Sequence, residues 1–123
     1  MNALDKAEAL KERTKQFAIR IVAVSRSLPR SREADVIGKQ LLRSGTAVAA
    51  NYRAVCRARS KAEFVSKMGI VVEEADETVF WLELLGDTGL AAAAKLALLL
   101  KEANELVAIC AASLRTAKNN KVA

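Results

Sequence analysis

Four stretches of this chain repeat apolar residues at steps of three and four, and three short polar breaks separate them. In the first stretch Leu10, Phe17, Ile21, Val24 and Leu28 fall on one stripe of a helix, and Pro29, the only proline, ends it. Pro29 to Arg32 is a short connector in which Ser31 is placed to cap a second helix, whose apolar side is Ile37, Leu41, Val48, Tyr52 and Val55. Ser60-Lys61-Ala62-Glu63 has the spacing of a capping box and restarts the pattern through Phe64, Met68, Val72, Ala75, Val79 and Leu82. Gly86-Asp87-Thr88-Gly89 reads as a glycine stop followed by candidate caps, after which Leu96, Leu99, Ala103, Leu106 and Cys110 form the last stripe. Helices are therefore expected over about 4–28, 32–59, 61–85 and 90–118, with 119–123 a frayed tail. Connectors this short turn each helix back on the one before. The economical architecture is all-α: one domain over 1–123, folded as an antiparallel up-down four-helix bundle.

The residue inventory narrows what such a bundle can do. Alanine and leucine dominate the apolar residues, so strands are disfavoured. The chain has no histidine, which removes the commonest general base and the commonest metal ligand together. Cys56 and Cys110 stand far apart with no Cys-x-x-Cys pair, and they read as two small buried residues in a reducing compartment. Charged residues interrupt every apolar run before a membrane could be spanned, so a cytoplasmic protein is expected. No nucleophile with a base, metal set or cofactor loop can be assembled. A non-enzymatic protein with no cofactor, no metal and no small-molecule substrate is the expectation.

Charge is distributed unevenly. Residues 1–60 hold 13 Lys or Arg against 5 Asp or Glu, whereas residues 61–123 hold 7 against 9, which reproduces the overall +6. Lys39, Arg43, Arg53 and Arg57 lie within about 80° of one another on a helical wheel, opposite the apolar side of the second helix. Spaced guanidinium and ammonium groups on one face reach successive phosphates, so these four are the candidate nucleic-acid-binding residues, for RNA or DNA. A solvated face or pairing with a partner subunit are the competing readings. Arg13, Lys15, Arg20, Arg26, Arg30 and Arg32 enlarge the positive surface. Only Tyr52 interleaves aromatically with the stripe, and it sits on the core side, so base stacking has little support.

The third helix carries acids instead. Glu73, Glu74, Asp76, Glu77 and Glu83 lack the Glu-x-x-His pairs of a carboxylate metal site. Glu73, Glu77, Phe80 and Leu84 share a face away from Phe64 and Ala75, and apolar residues beside acids there suggest an oligomer interface. Ile19, Val22, Leu98 and Ile109 repeat the hint on other helices. Ser44-Gly45-Thr46 has neither the spacing nor the preceding strand of a phosphate loop, and Gly45 is read as permitting close helix approach. Asn51 is read as a buried amide that fixes register or caps a neighbouring helix.

Three segments carry a family resemblance: Leu41-Leu42-Arg43-Ser44-Gly45-Thr46-Ala47-Val48-Ala49-Ala50-Asn51-Tyr52-Arg53 with Cys56-Arg57-Ala58-Arg59-Ser60, then Glu73-Glu74-Ala75-Asp76-Glu77-Thr78, then Phe80-Trp81-Leu82-Glu83-Leu84-Leu85. They resemble the bacterial 23S ribosomal RNA intervening sequence proteins, and the likeness covers nearly the whole chain from Phe17 onward. Similar bundles include the accessory variability determinant of diversity-generating retroelements, a basic homopentamer that associates with nucleic acid and a reverse transcriptase. The resemblance implies a four-helix bundle assembled as a homopentameric ring. Its partners would be further copies of the chain, with RNA or DNA on the basic surface; the alternative is a protein adaptor or accessory subunit with no direct nucleic-acid role. Family members often have a glutamate near position 54, where this chain has Ala54, so the stripe here is more purely cationic.

Overall fold

The computed structural model describes residues 2–120, and nearly all of them lie in four α-helices: α1 (Ala3–Ser27), α2 (Arg32–Cys56), α3 (Lys61–Asp87) and α4 (Ala93–Asn119). No strand occurs among the described residues. The expected frayed tail falls outside the described residues from 121 onward, while Asn119 still belongs to α4.

The three links follow from local chemistry. Leu28, the residue before Pro29, is extended at φ −68°, ψ 149°, as the proline ring requires of its predecessor. Ser31 then accepts a hydrogen bond from the Ala34 N–H at 3.2 Å and starts α2. α2 stops at Cys56, short of the expected 59. The chain needs 57–60 to reverse direction and to bring Ser60 into the extended conformation, φ −152°, ψ 163°, from which its Oγ accepts from the Glu63 N–H at 3.0 Å. Glu63 itself pairs with Lys67 Nζ at 3.2 Å, so only the serine half of the expected capping box is made. At the third link Gly86 remains helical and the left-handed residue is Gly89, at φ 74°. The Thr88 hydroxyl donates to the Leu84 carbonyl at 2.7 Å, which consumes the residue expected to cap α4. α4 accordingly begins later than expected, behind Ala92, with no side-chain cap.

Facing pairs set the helix directions. A Cβ on Gly45 would meet Ile21 and one on Gly38 would meet Leu28, so α2 runs against α1. Gly86 lies beside Leu96, while Lys61 Nζ at the far end donates to the Asn120 carbonyl, so α4 runs against α3. Of the four neighbouring pairs, α1–α2, α2–α3 and α3–α4 pack closely and α1–α4 packs least.

The core unites Phe17 and Ile21 of α1, Leu41 and Val48 of α2, Met68, Val71, Leu82 and Leu85 of α3, and Leu99 and Leu106 of α4, all at 3% exposure or less. Each such side chain contributes about 1.5–3 kcal/mol by leaving water. Leu10, Val24, Leu28, Ile37, Phe64 and Val72, expected inside, are half-buried and pack against this core. Val71, Thr78 and Leu85 are buried although they lie off the expected stripe, because α3 has a neighbour on each side and buries a wider arc than one stripe. Thr78 and Ser44 meet inside the α2–α3 contact with their hydroxyls 2.9 Å apart, and the Thr78 hydroxyl donates to the Glu74 carbonyl at 2.7 Å. Cys110 is buried as expected, and burial pushes its thiol up to about 11. Cys56 is exposed, against expectation, because it is the last residue of α2.

Candidate nucleic-acid interface

The outer face of α2 opposes Leu41, Val48 and Val55; the 3.6-residue period places Lys39, Arg43 and Arg53 there, Arg57 follows as the residue just past the end of α2, and all four are exposed. Their surroundings differ. Arg43 reaches sideways to α3, with Nη1 2.9 Å from Glu74 Oε2 and Nη2 2.6 Å from Glu77 Oε2. The hydrogen bond to Glu77 holds the guanidinium proton more firmly than usual, with help from the charge of Glu74. In return Arg43, and secondly the Trp81 indole N–H at 3.4 Å, hold the Glu77 carboxyl below the ordinary carboxylate range. Arg43 thus joins helices, and its donors already face carboxylates.

Arg13 is committed in the same way. Its Nε and Nη2 donate to the two carboxylate oxygens of Glu102 at 2.7 and 2.6 Å, and Nη2 also reaches Glu105 at 3.0 Å. This fork closes the loosely packed α1–α4 side and depresses the Glu102 carboxyl, the hydrogen bond from Arg13 being the largest cause. Arg13 therefore does not enlarge the positive surface as expected from its place in the cationic half: the bundle brings α4's acids opposite it, and no single-helix pattern reveals that.

The remaining stripe residues divide between the two ends of α2. Lys39 lies beside the first link, lining an open hollow of about 310 Å³ with Arg26, Arg30 and Asp35. Arg53 and Arg57 lie at the other end, about 21 Å from Lys39 if measured from Arg53 at 1.5 Å per residue. There they line a concavity of about 480 Å³ with Arg59, Lys67, Glu63 and the small residues Ala50 and Ala54. Glu63 pairs with Lys67, and among the described residues Arg53, Arg57 and Arg59 have no ion-pair partner. Three unpaired guanidinium groups around one hollow are mutually repulsive and favour an anion between them. Arg59 and Lys67 are not among the residues that the sequence pattern singles out. Arg59 leaves the wheel because α2 ends at Cys56, and Lys67 arrives from α3, so neither follows from the period of one helix.

The outer face of α3 holds the other candidate group. Glu73 is exposed, Glu77 and Leu84 are half-buried, and Phe80 is 52% exposed with its ring edge-on to Trp81 at 4.9 Å between centroids. Ile70, 42% exposed, extends this apolar surface by one further turn on a neighbouring angle. Glu77 serves Arg43 within the chain as well as bordering Phe80. Ile19, Leu98 and Ile109 are exposed and Val22 is half-buried, so the bundle displays more apolar surface than its core consumes. Asn51, expected to fix register between helices, donates instead to the Ala47 carbonyl of its own helix at 2.9 Å, one turn back. Tyr52 is on the core side, and burial raises its phenol. Gly45 does permit close approach: a Cβ there would lie 2.7 Å from Ile21 Cγ1 and Cγ2. Among the described residues no group of three His, Cys, Asp or Glu could hold a metal ion, and no helix is long and apolar enough to cross a membrane.

Fold and surface together define an all-α four-helix-bundle protein whose cations are partly neutralised between helices and partly gathered at one end of α2, there unpaired among the described residues. The model of the 23S rRNA-intervening sequence protein family matches residues 8–112, and the chain belongs to that family. It is similar to a protein of unknown function from the S23 ribosomal protein family of Bacteroides thetaiotaomicron VPI-5482, whose crystal structure shares 33% identity and a TM-score of 0.83 over 90% of this chain and 99% of that one. No curated protein gives a significant match.

Proposed function

We propose that the protein is a non-enzymatic, homo-oligomeric helical scaffold that holds RNA or DNA through the phosphate backbone. The observation that carries the reading is the contrast among arginines: Arg13 and Arg43 are neutralised by acids of other helices, whereas Arg53 and Arg57 stand exposed and unpaired beside Arg59 among the described residues. Cations left unpaired on a rigid helix gain most from phosphates, because each contact releases counterions without needing a base edge. Lys39 offers a second point of attachment at the far end of α2, and Arg43 takes part only by giving up Glu74 and Glu77. Binding of a mixed-sequence single-stranded RNA, followed by fluorescence anisotropy across a salt series, tests this. Affinity should fall with a logarithmic slope of about 0.7 for each phosphate neutralised, and several unrelated sequences should bind alike. Binding that is absent, or independent of salt, contradicts the reading.

The outer face of α3 supports the oligomer. Glu73, Glu77, Phe80 and Leu84 form its interface, and a ring of five is the assembly implied by the family resemblance. Exposing Phe80 and Ile70 to water on one face is unfavourable, and burying them against a second copy removes that cost. Light scattering coupled to gel filtration should give a multiple of the 13.3 kDa chain mass, and Phe80→Glu should lower it while leaving helical circular dichroism unchanged. A monomer at micromolar concentration contradicts the oligomer. The same apolar face favours a second reading, an adaptor or accessory subunit bound to another protein, for example a reverse transcriptase. That reading gains if the chain is monomeric and binds no nucleic acid.

A further inference from the structure

We infer that the hollow between the end of α2 and the start of α3 is a site for a terminal phosphate, binding the phosphomonoester end of a nucleic-acid strand in preference to an internal phosphodiester. The inference rests on the backbone-binding reading and names the group that occupies its most positive point.

The charge around the hollow is concentrated rather than continuous. Arg53, Arg57, Arg59 and Lys67 line it, with Glu63 as the one carboxylate among the described residues of the lining, and Glu63 is already paired with Lys67. Four cations against one acid leave a net +3. The groove that continues from it between α1 and α2 shares Ala50 and Arg53, but there Lys11, Lys15 and Arg53 meet Glu8 and Glu12, and the balance drops to +1. On the α3 flank, back along α2 in the same direction, the next outward cation is Arg43, about 15 Å away by helix rise, and Glu74 and Glu77 neutralise it. A strand that continued from the hollow back along α2 would carry its next phosphates towards carboxylates, Glu8 and Glu12 on the α1 flank or Glu74 and Glu77 on the α3 flank. A strand that ends in the hollow places its largest charge among these four cations.

The chemistry of the end group matches. A phosphomonoester carries about −1.5 to −2 at neutral pH with a second pKa near 6, and it offers three terminal oxygens, where an internal diester carries a single charge. Guanidinium forks bind such oxygens bidentately, and three arginines line this hollow together with the small residues Ala50 and Ala54. About 480 Å³ is large enough for a phosphate with its sugar.

The test uses one RNA sequence in three forms, with a 5′-phosphate, a 3′-phosphate or hydroxyls at both ends, each labelled internally and measured by anisotropy against the full chain. At least one phosphorylated form should bind about tenfold tighter than the hydroxyl form, and which one does identifies the strand end. That preference should shrink below about pH 6 as the monoester loses its second charge. It should also collapse in Arg59→Ala/Lys67→Ala while hydroxyl-ended RNA keeps a salt-dependent affinity. The readout is the ratio between ends, which a general loss of charge or fold does not create or abolish selectively; Arg59→Gln alone should lower the same ratio if the double variant unfolds. Equal affinity for all three forms overturns the terminal-phosphate site and leaves the backbone reading standing. No binding of any form overturns both.

Discussion

Gly45 is the residue on which the α1–α2 contact turns. Its missing side chain lets the α2 backbone approach until the place of a Cβ lies 2.7 Å from two carbons of Ile21, which is fully buried. Isoleucine branches at Cβ and has little rotamer freedom in a helix, so it cannot swing aside. Gly45→Val should therefore push α1 from α2 and cost about 1–3 kcal/mol or more, read as a lower midpoint in urea with little change of slope. A midpoint within error of the parent would mean that the helices separate without penalty. The sequence marks Gly45 as a place of close approach, since a glycine amid Leu41, Val48 and Tyr52 has no turn to serve. It does not name Ile21, because which residue of α1 meets Gly45 depends on link length and helix register. The same limit explains Thr78 and Ser44, whose mutual hydrogen bond is invisible until α3 lies on α2. Cys56 departs from its expected burial: composition and spacing suggest a small buried residue, but it is the last residue of α2 and is exposed.

At the scale of elements, caps and apolar stripes carry enough information to place four helices, while pairing between their charged faces does not show in any one helix. α1 and α4 illustrate this. They pack least of the four neighbouring pairs, and the Arg13 fork to Glu102 and Glu105 spans them. Arg13→Ala should lower stability at neutral pH by on the order of 1 kcal/mol, less than for a fully buried charged pair because the Arg13 side chain is 36% exposed. The pH dependence has a definite sign. Arg13 lowers the folded-state value of Glu102 from its usual 4.5, so the resulting stability is fully present above that value and is lost as pH falls through the lowered one. Thermal melts from pH 6 to pH 3, a window of about three units chosen to bracket carboxylate titration, should show a shallower acid loss for Arg13→Ala than for the parent. Parallel acid profiles would show that Glu102 does not depend on Arg13.

At the scale of the whole molecule, the +6 charge is less informative than where it is left uncompensated. The wheel groups Lys39, Arg43, Arg53 and Arg57 as equals, and folding separates them into a bridge between helices, an outlier beside the first link and a cluster around one hollow. The most direct test compares salt dependence of RNA binding in Arg53→Ala/Arg57→Ala with that in Arg43→Ala. Removing Arg53 and Arg57 should lower the logarithmic slope by about 0.7 for each phosphate no longer neutralised and leave thermal stability nearly unchanged, because both are exposed and unpaired among the described residues. Removing Arg43 should lower thermal stability while the slope stays at the parent value. Equal slopes in all three proteins, or a slope that falls only when Arg43 is removed, would contradict the account.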